Sequence, residues 1–255
     1  MYKNMKIGVT VPAYNEQKFI SKVIDTMPDF VDKIYLVNDA SMDQTWEIMS
    51  NKAKTNSKIV PINRERNGGV GAAILTGHKR GLLDDIDVVA VMAGDGQMDP
   101  AILINFILPI IEGKADYTKG NRLSNRHHRK EMPVWRKLGN FMLTNMTRIA
   151  SGYWRISDPQ DGYTAISVES LKQLDLDKIE KGFTFENDML VKLNCIGARV
   201  IDIPHPAIYR GQNSKICYFN FIFSTSFVLF KDFIWRLWSK YIIKTYKHIF
   251  ESTLQ

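Results

Sequence analysis

Between residues 6 and 119 the chain repeats one unit: a short apolar run closed by polar, glycine or proline residues, then a segment whose apolar residues recur at helical spacing. Runs of strand length at 6–11, 33–38, 58–63, 88–92 and 116–119 alternate with helix candidates at 16–27, 45–54, 71–83 and 100–112. Strands that are apolar on both faces need a covering layer on each side, and the intervening helices supply it. The expected class is therefore α/β, with a mostly parallel sheet flanked by helices. In such sheets ligands gather at the carboxyl ends of the strands. Asp99 as N-cap and Pro100 as first helical residue make 94–98 a loop on that edge.

After Gly120 the rhythm changes. A basic segment containing His127 and His128 precedes a helical stretch at 134–151, turn residues at 157–162, a short helix near 168–174, an amphipathic helix at 186–195, a strand at 199–203 and a proline-punctuated extension to 215. No repeat, low-complexity tract or linker divides the chain, so one main domain over 1–215 is expected, followed by an appendage at 216–255. That appendage interleaves Lys231, Arg236, Lys240, Lys244 and Lys247 with aromatic residues. Its longest uncharged run, 216–230, has 15 residues, whereas a membrane span needs roughly 20. Helices lying in a membrane interface, with Trp235 and Trp238 at headgroup depth and the lysines drawn to anionic lipid, are the expectation, with an aromatic-rich packing helix or a dimer contact as the alternative.

The 255 residues are 45% hydrophobic and 24% charged, which excludes a disordered tail or a mini-protein. Cys195 and Cys217 build neither a disulfide framework nor a zinc cluster, which fits a reducing compartment, and no export signal is read at the N-terminus. The net charge of +7 is unevenly placed. Residues 122–137 hold six basic residues and one acid, residues 210–255 hold seven and two, and the remainder is slightly acidic. An anionic partner is expected at those two stretches.

Four clusters sit on the expected carboxyl edge. Val11-Pro12-Ala13-Tyr14-Asn15-Glu16 offers an aromatic face with amide and carboxylate acceptors, suited to a nucleobase and ribose or simply to a helix cap. Asn38-Asp39-Ala40-Ser41-Met42-Asp43 offers Asp39 for a ribose hydroxyl or base N–H, with Ser41 and Asp43 as alternative capping residues. Asn67-Gly68-Gly69-Val70-Gly71 is either a phosphate-approaching turn or a small-residue packing turn. It does not fit the dinucleotide fingerprint, and no P-loop is present. In Ala93-Gly94-Asp95-Gly96-Gln97-Met98-Asp99, the oxygens of Asp95 and Gln97 can meet one hard divalent cation, with substrate phosphates and water completing its shell.

These motifs, in this order and spacing, resemble the family 2 glycosyltransferases of the GT-A (Rossmann-like) fold, and most closely their polyprenyl-phosphate branch of the dolichol-phosphate mannosyltransferase type. The resemblance implies nucleotide binding by Pro12, Tyr14, Glu16, Asp39, Asn67, Gly68 and Asp95, and a Mg or Mn ion on Asp95 and Gln97. The family's metal loop commonly reads Asp-Ala-Asp-x-Gln, and here Ala93 replaces its first aspartate. Gly120-Asn121-Arg122, Asp158-Pro159-Gln160-Asp161-Gly162-Tyr163, Phe185-Glu186 and Tyr209-Arg210-Gly211-Gln212-Asn213-Ser214-Lys215 resemble its acceptor and phosphate motifs. They imply acceptor binding by Arg122, Asp158, Asp161, Glu186, Arg210, Ser214 and Lys215, with Asp95, Asp161, Arg122, Arg210 and Lys215 closest to the chemistry.

The implied reaction is inverting transfer from a nucleotide sugar, a UDP-sugar in preference to GDP-mannose, to a polyprenyl phosphate at the cytoplasmic face of a membrane held through 216–255. Transfer to a glycan hydroxyl is the rival within enzymes, and it needs Asp161 or Asp158 as a base. A basic module binding membrane or nucleic acid is the rival outside them, but it has no use for a glycine-flanked Asp95 beside Gln97, so no nucleic-acid partner is expected. No pattern in the sequence sets an oligomeric state.

Overall fold

The computed structural model describes residues 2–124, 134–206, 208 and 218–243. Seven strands form one sheet: β1 (Ile7–Ala13), β2 (Lys33–Asn38), β3 (Ile59–Asn63), β4 (Val88–Val91), β5 (Tyr117–Asn121), β6 (Thr164–Ser167) and β7 (Val200–Pro204), in the order β3-β2-β1-β4-β6-β5-β7. β1 to β4 run parallel, β5 and β7 share their direction, and β6 runs against both its neighbours. The mostly parallel α/β sheet expected from the alternation is present, in the GT-A-like form that the resemblance implied. β6 was not expected: at four residues, following a turn-rich loop, it carries no strand-length apolar run of its own, and only pairing with β4 and β5 makes it a strand.

Alternation along the strands sends side chains to opposite faces. Ile7, Val9, Val11, Val88 and Ala90 pack with residues of α1 (Ile20–Asp25), α2 (Thr45–Thr55) and α4 (Leu103–Ile111). Val89 and Val91 pack on the other face with α3 (Val70–Leu83) and α7 (Phe185–Cys195), together with Leu171 of the short α6 (Val168–Lys172). Buried strand residues on both faces require this three-layer arrangement.

The first helix starts later than its spacing predicts. The backbone N–H of Glu16 donates to Thr45 Oγ1 at 2.8 Å and that of Gln17 to Asp43 Oδ2 at 3.2 Å, so residues 14–18 are held by the neighbouring loop and α1 begins at Ile20. Asp99 caps as expected, accepting from the Ala101 amide at 3.0 Å, although the turn over Pro100–Ile102 is a 3₁₀ turn before α4.

Two long helices lie outside these layers. α5 (Val134–Ser151) and α8 (Tyr218–Leu237) meet α7 through a third apolar cluster of Leu143, Ala150, Val191 and Leu229. α8 is amphipathic in the inverse sense. Thr225, Leu229, Asp232 and Arg236 are buried, whereas Phe227, Phe230 and Ile234, with Trp238 and Tyr241 of the π-helical turn Trp238–Ile243 that continues the helix, three or four residues apart, are exposed. Among the described cations Arg236 and Lys240 are held inward, which departs for those two from the expectation of cations offered to lipid, whereas Lys231 stays exposed. Arg236 donates to the Ala150 and Ile149 carbonyls at 2.7 and 3.1 Å, Lys240 donates to Asn194 Oδ1 at 2.9 Å, and Lys231 pairs with Glu180 at 3.4 Å. Arg236 and Lys240 thereby satisfy helix C-termini that otherwise keep unpaired carbonyls. Arg236→Ala is expected to cost about 1–3 kcal/mol, the scale of a charge-assisted bond to a buried group, read as a lower urea midpoint with faster amide exchange in 218–237.

Candidate active site

The carboxyl ends of β1 and β2 are laced together. The Asn15 amide donates to Ser41 Oγ at 2.9 Å and the Met42 amide to Asn15 Oδ1 at 2.9 Å, across two left-handed residues, Asn15 (φ 57°) and Ala40 (φ 58°). This lacing leaves the Tyr14 ring exposed at the sheet edge, beside the buried Pro12 and half-buried Glu16. Asp39 is buried. Its oxygens accept from the Gly68 amide at 3.1 Å and the Gly69 amide at 2.9 Å, and it forms an ion pair with Arg64. The glycine turn therefore presents its amides to Asp39, and the Ala72 amide bonds the Lys181 carbonyl at 3.1 Å. Gly71 is required by close packing, since a Cβ there would lie 2.7 Å from Phe185 Cβ. Asn67 and Gly68 thus act in this arrangement as the frame of Asp39.

At the end of β4, Gly94 bonds the Pro12 carbonyl at 3.0 Å, and Asp95 Oδ1 accepts the Gln97 amide at 2.9 Å across Gly96 (φ 71°). That turn brings Asp95 and Gln97 together, both half-buried, on the same edge as Tyr14 and Asp39. Two hard oxygen donors fit a Mg or Mn ion whose shell is completed by diphosphate and water, and among the described residues no cluster of three or more His, Cys, Asp or Glu offers a self-sufficient site. Asp99 faces elsewhere, as a cap whose carbonyl accepts from Tyr163 Oη at 3.0 Å.

Because β6 is reversed, the loop leading into it opens on this same edge. There Arg122, just past β5, donates from Nε to Asp158 Oδ2 at 2.9 Å and from Nη2 to Asp158 Oδ1 at 3.2 Å, while Asp161 Oδ2 lies 3.1 Å from its Nε. Asp161 also accepts the Tyr163 amide at 2.8 Å, and its Oδ2 sits 2.6 Å from His205 Nε2. Burial works against its charge, but the His205 hydrogen bond and the Arg122 and Lys119 charges hold the carboxyl below the usual range. Beneath lies Lys119, fully buried and bonded to the Asp161 carbonyl; burial lowers its pKa, against the pull of Glu186, Asp161 and Asp158. Burial raises the Glu186 carboxyl despite Lys119.

The sequence profile of glycosyl transferase family 2 matches residues 9–175, more than half of the chain. The chain belongs to glycosyl transferase family 2. It is 31% identical over 229 residues to the UDP-N-acetylglucosamine–dolichyl-phosphate N-acetylglucosaminyltransferase of Methanococcus voltae, covering 82% of this chain and 91% of that protein. It is 28% identical to the undecaprenyl-phosphate mannosyltransferase of Micrococcus luteus, over 81% of this chain and 85% of that one. Its fold is similar to that of glucosyl-3-phosphoglycerate synthase from Mycobacterium tuberculosis, crystallised with Mn2+, UDP and phosphoglyceric acid, at a TM-score of 0.65 and 17% identity over 91% of this chain and 78% of that one.

For this family 2 chain the sequence-derived residues fall into two groups on one edge. Pro12, Tyr14, Glu16, Asp39, Asn67, Gly68, Asp95 and Gln97 lie over β1 to β4, and Arg122, Asp158, Asp161 and Glu186 lie over β5 to β7. Arg210, Ser214, Lys215, His127 and His128 fall outside the described residues. Lys119, Arg64 and His205 were not singled out from the sequence. Lys119 reads as one residue of a strand, and His205 as a residue in a proline-rich extension; only the pairing of β5 with β6 and β7 brings them to Asp161.

Asp202, on β7, accepts the Ser157 amide at 2.7 Å through Oδ2, while its buried Oδ1 lacks a hydrogen-bond partner among the described residues. Burial raises its carboxyl to about 6. The folded state thus prefers the protonated form, so Asp202 supports folding in acid and this support is lost as pH rises through about 6. Asp202→Asn is expected to gain melting temperature relative to the parent between pH 5 and 7.5; an offset independent of pH rules this out.

Proposed function

We propose that this family 2 glycosyltransferase moves a sugar from a nucleotide sugar to a polyprenyl phosphate, giving a lipid-linked monosaccharide. The observation that carries the phosphate acceptor is the state of Asp161. A hydroxyl acceptor needs a base, and Asp161, next to Arg122, is the candidate. Its carboxylate already serves Arg122, His205 and the Tyr163 amide, and it is held below the ordinary pKa range, so it is a weak base. A phosphate monoester, with a second pKa of about 6, arrives mostly dianionic near neutral pH and needs no base. The names of the Methanococcus and Micrococcus relatives support the same acceptor class.

In this reading an acceptor oxygen attacks the anomeric carbon as the bond to the nucleoside diphosphate breaks, with inversion. Tyr14, Glu16 and Asp39 hold the nucleoside, with Pro12, Asn67 and Gly68 shaping their loops. Asp39 meets a base or ribose either through its remaining acceptor capacity or after Arg64 turns away. Asp95 and Gln97 hold a divalent ion, Mg or Mn, which when bound neutralises charge on the leaving diphosphate. Arg122, with Arg210 and Lys215 of the same proposal, aligns the acceptor phosphate against a donor that repels it. A UDP-sugar is favoured, supported by the UDP named for the Methanococcus relative and the synthase complex. Both hexosyl and N-acetylhexosaminyl transfer remain within the proposal.

The acceptor is a lipid, and the inverted α8 suits it. Among the described residues no helix is long and apolar enough to cross a membrane. The exposed Phe227, Phe230, Ile234, Trp238 and Tyr241 supply an interfacial face, with Phe141 and Met142 of α5 also exposed. Residues 216–255 serve as the membrane-contacting segment of a 1–215 catalytic unit, at the cytoplasmic face.

The test is a panel of labelled UDP- and GDP-sugars with polyprenyl phosphate, with Mg2+, Mn2+ or chelator, followed by organic extraction; label that stays aqueous in every arm refutes the proposal. Asp95→Ala is expected to abolish the metal-dependent product while leaving the melting temperature unchanged, and retained activity removes the metal assignment. Asp161→Asn is expected to lower transfer about tenfold through Arg122. A loss beyond roughly a hundredfold, the scale of a missing general base, would favour a hydroxyl acceptor. Replacing Phe227, Phe230 and Trp238 by serine is expected to abolish sedimentation with anionic vesicles.

A further inference from the structure

His205 is buried at the end of β7 and is held on all sides. Its Nε2 lies 2.6 Å from Asp161 Oδ2 and its Nδ1 lies 3.0 Å from the Pro206 carbonyl oxygen. The rings of Phe106 and Tyr163 meet it edge-on, with centroids at 5.9 and 5.8 Å. The backbone makes room for it: a Cβ at Gly120 would come within 2.6 Å of both His205 Nε2 and Asp161 Cγ. A carbonyl oxygen accepts only, and so does an ionised carboxylate. With Asp161 ionised, each ring nitrogen thus faces an acceptor, the arrangement that an imidazolium satisfies at both nitrogens.

The charge matters because of what surrounds Arg122. Its guanidinium is flanked by two carboxylates, Asp158 and Asp161, and the buried Lys119 and Glu186 beneath offset one another formally. Without another cation the cluster carries a net negative charge, which repels a phosphate. An imidazolium at 205 cancels that excess and fixes the carboxylate that aims Arg122.

On the phosphate-acceptor reading above, we infer that His205 is a positioning residue for the acceptor phosphate, acting as a buried imidazolium that holds Asp161 against Arg122. It touches neither substrate. Asp161 and Arg122 transmit its effect, so it governs acceptor use rather than donor binding.

Two measurements test this. In protein labelled with ¹⁵N-histidine, the resonance missing from His205→Gln should show both ring nitrogens in the imidazolium range near neutral pH; one bare and one protonated nitrogen overturns the inference. In steady-state transfer, His205→Leu should raise the KM for polyprenyl phosphate about tenfold, the scale of one lost charge-assisted hydrogen bond, with the nucleotide-sugar KM unchanged. His205→Gln, which can donate to Asp161 without the charge, should fall between the leucine variant and the parent. An unchanged acceptor KM, or equal rises in both KM values, overturns it. Should the leucine variant not fold, the glutamine variant and the spectrum still decide. A parent protein that transfers nothing to polyprenyl phosphate but gives the imidazolium pattern sinks the acceptor reading and leaves the charge assignment standing.

Discussion

The acceptor half of this molecule hangs on one carboxylate. Asp161 leads into β6, takes Arg122 from the end of β5 and His205 from the end of β7, and through its main chain receives the buried Lys119. Three strands are thereby fastened at their functional edge by one side chain and its backbone. The arrangement exists because β6 runs against its neighbours: in a fully parallel sheet the residues leading into it would open on the opposite edge. Gly120 is the steric counterpart of the contact, since no larger residue fits beneath it.

The donor half is built on the same logic with a different carboxylate. Asp39 gathers the glycine turn and Arg64, while Asn15, Ser41 and Met42 tie the first two loops together. The halves meet where Tyr163 bonds the Asp99 carbonyl and stacks on Phe106, ring centroids 4.0 Å apart. A loop bearing Asp95 and Gln97 is thus supported from the acceptor side. In both halves buried carboxylates organise backbone and cations, which is how a chain with a basic surplus keeps its cations in fixed places rather than spread over its surface.

Much of this was legible in the residues, and what was legible was local. Apolar alternation placed six of the seven strands because each carries its own pattern. Asp99 capped as its position before Pro100 implied. Motif order placed Tyr14, Asp39, Asp95, Arg122 and Asp161 on one edge because the carboxyl ends of parallel strands converge there. The missed elements lacked a local signature. β6 is four residues long, the start of α1 was taken over by Thr45 and Asp43, and Arg236 and Lys240 turned inward to cap two other helices.

The sequence by itself determined the class of fold, the edge on which chemistry gathers and the family, since each is written in spacing along the chain. Tertiary structure alone decided which groups share a proton or a charge. His205 lies 44 residues from Asp161 and Lys119 lies 42 residues before it. No periodicity connects them, and only the register of β5, β6 and β7 closes those separations to hydrogen-bonding distance. The same holds for α8: its composition announced an aromatic, basic helix, but which face is buried was settled by α5 and α7, whose carbonyl ends draw in Arg236 and Lys240 and leave the aromatic stripe outside.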